Sequence, residues 1–178
     1  MPLGTDYAGQ DCSLAKALEI VGERWSLLLV RDAFLGVTRF SDFRRRLGIS
    51  RAVLTQRLGS LVDAGVLERR PHEGHDAYAL TPAGEALWPA VHALMTWGDA
   101  QTSPGGARRV FRHVTCEADL DGSGRCPVCG ATPPARELET RPGPGARTEP
   151  PSNSLSALLR SPHRLLTPLR DTPVRDGS

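Results

Sequence analysis

RFSDFRRRLGISRAVLTQRLGSLVDAGVLERR, residues 39–70, is the stretch that decides the fold. Its first half has an apolar stripe at helical spacing, formed by Phe40, Phe43 and Leu47. Gly48 stands where a helix ends in a left-handed residue, and Ser50 stands where the next helix takes its N-cap. The second helix has its own apolar face, at Leu54, Leu58, Leu61 and Val62. With a short strand at 67–70, the pattern predicts a helix-turn-helix followed by a wing.

The same stretch concentrates positive charge. Its eight arginines and three carboxylates give a net charge of +5, whereas the whole chain carries +2, so the remainder sums to −3. A cationic patch on such a motif indicates a nucleic-acid partner. The alternative is a helical bundle whose arginines only keep it in solution.

Length and composition narrow the classes of protein. A chain of 178 residues with 39% hydrophobic and 24% charged residues fits one globular domain with appendages. The sequence predicts no membrane span, because an apolar run of about 20 residues is absent. Residues 1–11 lack a secretory signal pattern and are expected to form a flexible arm. We therefore expect a cytoplasmic protein, in which four cysteines call for a reactive or metal-binding role.

The other elements predict a fold that is mainly α with a small β-wing (α+β). Residues 13–21 form an amphipathic helix with one apolar side, made of Leu14, Ala17, Leu18 and Val21. Residues 22–36 contain a helix that is apolar nearly all round and therefore central. A polar turn at 72–76 and a strand at 77–80 complete the wing. Thr81 and Pro82 start a long helix to about residue 101, with a stripe at Leu87, Val91, Leu94 and Met95, which Pro89 bends.

These motifs resemble the HxlR-type winged helix-turn-helix regulators, relatives of the MarR group. The landmarks are Cys12, GERW at 22–25, RFSDF at 39–43, GISRAVLTQRL at 48–58, AGVLERR at 64–70, YALTPAGEAL at 78–87 and MTWG at 95–98. The resemblance implies a homodimer that binds operator DNA in promoters, with the second helix in the major groove. It also implies dimerisation through the first and last helices, so residues 12–101 form one DNA-binding and dimerisation domain.

Position in the motif predicts which residues contact DNA. Arg51, Thr55 and Gln56 lie at the N-terminal end of the recognition helix and are expected to reach base edges. Ser50 caps this helix, and its amide is a phosphate ligand. Five arginines are suited to phosphates: Arg39, Arg44, Arg45, Arg57 and Arg70. His72 and His75 either lie along the minor groove or belong to a polar turn without a role.

The second half of the chain predicts a candidate zinc ribbon at 108–140, after a linker at 102–107. His113 and Cys116 form one pair, Cys126 and Cys129 form another, and each pair is separated by two residues. Two such pairs joined by a glycine-containing loop suit tetrahedral zinc. Asp119 or Asp121 are alternatives to His113. A redox dithiol at Cys126 and Cys129, or an inert tail, are the competing interpretations.

Three features complete the expectations. Cys12 precedes a helix N-terminus, which stabilises a thiolate; the resemblance implies oxidant or electrophile sensing there, and packing at a dimer edge is the alternative. Residues 141–178 have seven prolines and no aromatic residue, which predicts disorder. No polar cluster marks a pocket for a small-molecule effector.

The leading hypothesis is a non-enzymatic transcriptional regulator that binds double-stranded DNA at a pseudo-palindromic operator as a homodimer. A thiol oxidoreductase and a zinc-ribbon protein-interaction module are the alternatives.

Overall fold

The computed structural model describes residues 7, 9–72, 75–151 and 153–169. The first half contains four helices and a hairpin: α1 (Ser13–Val21), α2 (Ser26–Phe34), α3 (Phe40–Leu47), α4 (Arg51–Asp63), β1 (Leu67–His72) and β2 (His75–Leu80). Strands β1 and β2 are antiparallel, with Leu67 opposite Leu80 and His72 opposite His75. The helix-turn-helix with a β-wing is confirmed. Most of the predicted arm, residues 1–6 and 8, and the wing-turn residues Glu73 and Gly74 lie outside the described residues.

Local chemistry sets the turn between α3 and α4. Gly48 has a φ of 64°, and the Ser50 hydroxyl accepts a hydrogen bond from the Val53 amide at 3.3 Å. Ile49 is buried between the two helices, and α4 buries Leu54, Leu58 and Leu61. The angle between α3 and α4 is therefore fixed both by backbone conformation and by packing.

The long helix predicted from residue 82 to 101 is instead two helices, α5 (Pro82–Glu85) and α6 (Trp88–Thr102). Thr81 caps α5 by accepting from the Gly84 amide at 3.1 Å. Pro89 has no amide hydrogen for the Glu85 carbonyl, so it is accommodated in the first turn of a new helix, where no intrahelical donor is needed. The prediction of one bent helix was wrong at this point.

The second half of the chain forms a small antiparallel sheet. Its strands are β3 (Arg109–His113), β4 (Ala118–Asp119), β5 (Leu138–Pro142) and β6 (His163–Arg164), in the order β4-β3-β5-β6. A 3-10 turn (Ala135–Glu137) precedes β5, and helix α7 (Ser154–Leu158) lies between β5 and β6.

One hydrophobic core joins the two halves. Trp88 packs edge-on against Phe34 at 5.2 Å and against Phe111 of β3 at 4.9 Å between ring centroids. Residues of the ribbon and of the following segment belong to the same cluster as the winged helix: Phe111, Leu138, Leu155, Leu159, Leu165 and Leu169. The ribbon therefore shares its core with the rest of the chain.

The prediction of disorder for 141–178 was wrong for residues 141–151 and 153–169. Leu155 and Leu165 are almost fully buried, and β6 pairs with β5. The composition argument assumed that the segment must bury its own side chains, whereas its leucines are buried against the winged helix. Residues 152 and 170–178 lie outside the described part.

Candidate DNA-binding surface and Cys/His cluster

The N-terminal end of α4 presents the side chains predicted to contact bases. Arg51, Thr55 and Gln56 are exposed. The Arg51 guanidinium lies over the Phe40 ring at 5.8 Å, a cation–π contact that holds its stem against α3. All three side chains are therefore accessible on the N-terminal half of α4.

The arginines predicted to bind phosphates differ in the partners that their side chains contact in the structure. Arg39, Arg44 and Arg45 are exposed around α3, where Arg45 donates to Ser154 of α7 at 3.3 Å. Arg57 pairs with Glu23 at 3.0 Å. Arg70 pairs with Glu68 on its own strand, and Arg45 also pairs with Asp42 at 3.7 Å. Phosphate binding by Arg45, Arg57 or Arg70 therefore competes with a carboxylate of the protein.

His72 and His75 face each other across the ladder at the end of the wing. Their side chains lie outside the described part of the structure.

Arg46 is the arginine of the motif that points inward. It forms an ion pair with Asp32 of α2 at 3.0 Å, and Asp32 is completely buried. Arg31 contacts the same carboxylate at 2.7 Å. Arg46, one of the eight arginines, therefore links α3 to α2, and its charge does not add to the surface that is predicted to face DNA. The sequence signal was Asp32 itself, a carboxylate in an apolar helix that requires a cationic partner when buried.

The Cys/His cluster consists of His113, Cys116, Cys126 and Cys129, whose ligand atoms all lie within 4.8 Å of one another. His113 ends β3, and Cys116 lies in the turn that follows it. In the second pair, the Gly130 amide donates to the Cys126 carbonyl at 2.8 Å, a turn that Gly130 permits with a φ of 71°. The four residues predicted from spacing are brought together.

The alternative ligands are engaged elsewhere. Asp119 pairs with Arg141 at 2.7 Å, and Asp121 accepts hydrogen bonds from Ser123 and from the Arg125 amide. Neither belongs to the cluster. His113 is therefore the fourth member of the donor set.

The environment of His113 fits a metal ligand. Its Nδ1 lies 3.7 Å from Cys129 Sγ, whereas its buried Nε2 lies 3.4 Å from Glu137 Oε2 without a hydrogen bond of normal geometry. A histidine with one nitrogen toward the metal and the other toward a carboxylate is the usual arrangement at zinc. Three sulfurs and one imidazole match a closed structural site.

The thiols of the cluster differ in acidity. The backbone hydrogen bond from Cys129, with help from His113, lowers the pKa of Cys126 to about 6, against the opposing effect of burial. Burial and hydrogen bonding to the other two cysteines raise the pKa of Cys116 to about 11. The Cys126 thiolate thus forms readily, and its negative charge disfavours ionisation of the other cluster thiols. A divalent cation bound by the sulfurs would offset this repulsion.

Comparison with known proteins identifies the family. Residues 20–105 match the HxlR-like helix-turn-helix family. An uncharacterised HTH-type transcriptional regulator of Mycobacterium tuberculosis, Rv3095, is 43% identical over 142 residues, which cover 77% of this chain and 89% of that protein. The chain belongs to the HxlR-like helix-turn-helix family of transcriptional regulators. It is a DNA-binding regulator of transcription.

Two further similarities support the assignment. The HTH-type regulator YtfH of Escherichia coli is 36% identical over 92 residues, covering 49% of this chain and 73% of that protein. The crystal structure of PA1607, a candidate transcription factor, is 34% identical with a TM-score of 0.52, and the match covers 76% of this chain and 87% of PA1607.

The mycobacterial match extends beyond the family segment of this HxlR-like regulator. Only 105 residues of the chain precede Gly106, whereas the alignment with Rv3095 is 142 residues long. The aligned region therefore continues into the candidate zinc ribbon. The C-terminal part is thus shared with at least one relative.

Cys12 is exposed at the N-cap position of α1 and makes no side-chain capping bond. It lies apart from the Cys/His cluster.

Among the described residues, no helix combines the length and apolar character needed to cross a bilayer.

Sequence reasoning missed His92 of α6. It is buried against Trp88 and Phe111, with ring centroids 5.7 and 5.5 Å away. Burial lowers the pKa of His92, and the charge of Asp121 opposes this. Its spacing of four residues from Trp88 was the only signal, and helical spacing alone does not distinguish a core histidine from an exposed one.

Proposed function

We propose that this HxlR-like regulator binds a pseudo-palindromic operator as a homodimer. Each α4 enters a major groove, and the two helices lie about 34 Å apart, one turn of DNA. The observation that carries the proposal is the exposure of Arg51, Thr55 and Gln56 in the N-terminal half of α4.

The division of contacts follows from chemistry. Arg51 pairs with guanine, Gln56 pairs with adenine, and Thr55 contacts either. Arg39, Arg44 and the Ser50 amide hold phosphates, and Arg45, Arg57 and Arg70 join them after leaving their carboxylate partners. His72 and His75, which the wing carries, are the proposed contacts to the adjacent minor groove.

Exposed apolar side chains on the first and last helices of the family domain support the dimer. Leu14 of α1 and Trp97 of α6 are 67% and 66% exposed, and they are accompanied by Leu18, Ile20 and Leu94. The predicted apolar stripe of α1 is therefore largely uncovered within one chain: of its four members only Val21 is buried. A second copy that covers both helices would bury this surface.

The Cys/His cluster is proposed as a structural zinc site. His113, Cys116, Cys126 and Cys129 would hold the ion and fasten the 126–130 turn to the end of β3. Zinc in such a closed site contributes to the free energy of folding. It has no open coordination position. Glu137 would orient His113 through Nε2, the ring nitrogen that does not face the ion.

Cys12 is proposed as the redox-sensing residue. Its exposure and its position before α1 support this role. Because α1 belongs to the proposed dimer face, oxidation of Cys12 would act on dimerisation and through it on operator affinity.

Mobility shift with the DNA upstream of the regulator's own gene tests the proposal. Arg51→Ala and Gln56→Ala should each weaken specific binding by about 5- to 150-fold, the loss of one bidentate base contact. Arg136→Ala is the matched control, because Arg136 is an exposed arginine paired with Glu85 outside the helix-turn-helix. Equal binding of random duplex and upstream DNA, or equal losses in all three variants, would contradict it.

A further inference from the structure

A cavity of about 600 Å³ lies between α2, α6 and the start of β3. One wall is apolar and includes Leu27, Leu28, Leu35, Val91, Leu94 and Met95. Four arginines also line the cavity: Arg31, Arg46, Arg108 and Arg109. We call this cavity the arginine pocket. Arg108 and Arg109 lie beyond the family segment at 20–105, so the pocket depends on this chain's C-terminal part.

The charges of the arginine pocket are unbalanced. Arg31 and Arg46 share one buried carboxylate, Asp32. Arg109 donates to Thr140 Oγ1 at 3.0 Å and to the Leu159 carbonyl at 2.9 Å, both neutral acceptors.

Asp99 is the only carboxylate among the described residues that line the pocket, and it accepts from the Arg108 amide at 3.3 Å. Four cations thus face two anions, Asp32 included.

The cations repel one another. Burial, together with the charges of Arg46 and Arg31, lowers the pKa of Arg109 to about 10. An arginine remains protonated under these conditions, so the repulsion persists at neutral pH. An anion in the pocket would relieve it.

We propose that the arginine pocket binds a small organic anion with an apolar body. Ligand sites are commonly apolar cavities of about 300–1,000 Å³ with a few convergent polar groups, and this one has that form. A carboxylate would accept charge-assisted hydrogen bonds from Arg31 and Arg109, whose Nε and Nη2 atoms also donate to groups of the protein. Its apolar body would cover the leucines and Met95. An inorganic anion would leave that wall exposed to water.

The position of the pocket connects it to the DNA-binding motif. Arg46 belongs to α3 and lines the pocket, and its guanidinium holds Asp32. A carboxylate held by Arg31 would therefore contact a side chain that shares Asp32 with Arg46 of α3. Leu94 lines the pocket and is also part of the proposed dimer face.

Calorimetric titration of the full-length, metal-loaded protein with naphthoate and its neutral isostere naphthamide tests the proposal. Naphthoate should bind at least about tenfold more tightly than naphthamide, a difference of about 1.4 kcal/mol. Arg31→Gln should remove about tenfold of the naphthoate affinity and leave naphthamide binding unchanged. Asp32 keeps Arg46 as its partner in this variant. Arg112→Gln is the control, because Arg112 is on β3, pairs with Glu117 and does not line the pocket.

Equal affinity for naphthoate and naphthamide, or no binding of either, overturns the proposal; the latter is the result expected if a partner's helix fills the pocket. Equal losses in Arg31→Gln and Arg112→Gln also overturn it. If Arg31→Gln does not fold, the difference between the two probes in the unaltered protein decides. No DNA is present, so the outcome is independent of operator binding.

Discussion

The Leu169 amide donates a hydrogen bond to the Gly36 carbonyl at 2.8 Å, which joins the C-terminal segment to the end of α2. The Leu166 amide makes an equivalent bond to the Phe34 carbonyl, also at 2.8 Å. Leu165 and Leu169 are buried beside them. The segment after the ribbon is therefore part of the unit that supports the helix-turn-helix.

Gly36→Ala tests this connection. A Cβ at Gly36 would collide with the Thr167 carbonyl oxygen, and the residue has a φ of 89°. Gly65→Ala is the control, because Gly65 has a φ of 70° with nothing near its Cβ position. The control should lose about 1–2 kcal/mol from backbone strain alone. Gly36→Ala should lose about 2 kcal/mol more in urea unfolding, and equal losses would show that the segment is not packed there.

Arg46 and Arg44 are on the same helix, but we expect their replacement by alanine to change different properties. Arg46→Ala should change stability, and Arg44→Ala should change DNA binding. Arg46→Ala removes one of the two partners of buried Asp32 and should cost about 2–4 kcal/mol of unfolding free energy. Arg44→Ala removes an exposed side chain and should change stability by less than about 0.5 kcal/mol. It should instead reduce the salt slope of DNA binding by about 0.9. Urea unfolding and salt titration of operator binding measure the two effects.

The zinc site makes a stoichiometric prediction. Purified protein should contain one zinc per chain by mass spectrometry of the metal, and Cys12 should be the only thiol that reacts quickly. Chelation should make the three cluster thiols reactive in addition to Cys12 and should loosen the 113–130 segment, which the ion would hold together. Glu137→Gln should weaken zinc binding by about 10- to 100-fold, because Glu137 lies beside His113 Nε2.

Cys12→Ser is the control for that measurement. It should abolish the fast-reacting thiol and retain the full zinc content. Zinc-free protein with three equally reactive cluster thiols would show that the four side chains do not form a metal site.

His92 predicts how stability depends on pH. Its pKa is lowered from 6.5 by burial, so the folded protein keeps the imidazole neutral where the unfolded chain protonates it. The unfolded state then binds more protons, and the free energy of unfolding falls as the pH drops below about 6.5, by up to about 1.4 kcal/mol per pH unit. His92→Phe should remove this contribution while keeping the packing on Trp88 and Phe111.

The two proteins should be compared by urea unfolding between pH 5 and pH 8. Titration of the cluster is common to both, so the difference between their curves belongs to His92. Parallel curves would show that His92 is not buried in its neutral form.

The sequence was informative where one short segment determines the structure. Gly48 and Ser50 fix the turn through their own backbone and side-chain chemistry, and the paired spacing of the cluster residues reveals the donor set. Burial of Leu155 and Leu169 depends on a surface of the winged helix far away in the chain, which composition does not report. The arginine pocket is of the same kind, since Arg31 and Arg109 become neighbours only after β3 packs on α2 and α6.

The dimer face provides the last prediction. Trp97→Glu places a charge on the proposed dimer face, at an exposed tryptophan of α6, and should convert the protein to a monomer in sedimentation velocity. Operator affinity should then fall by at least about 100-fold, because two half-sites no longer bind as one unit. Leu158→Glu is the control: Leu158 of α7 is also exposed, at 40%, but lies outside this surface. A Trp97→Glu protein that stays dimeric would place the interface elsewhere, whereas a monomeric one with full operator affinity would show that pairing does not contribute to DNA binding.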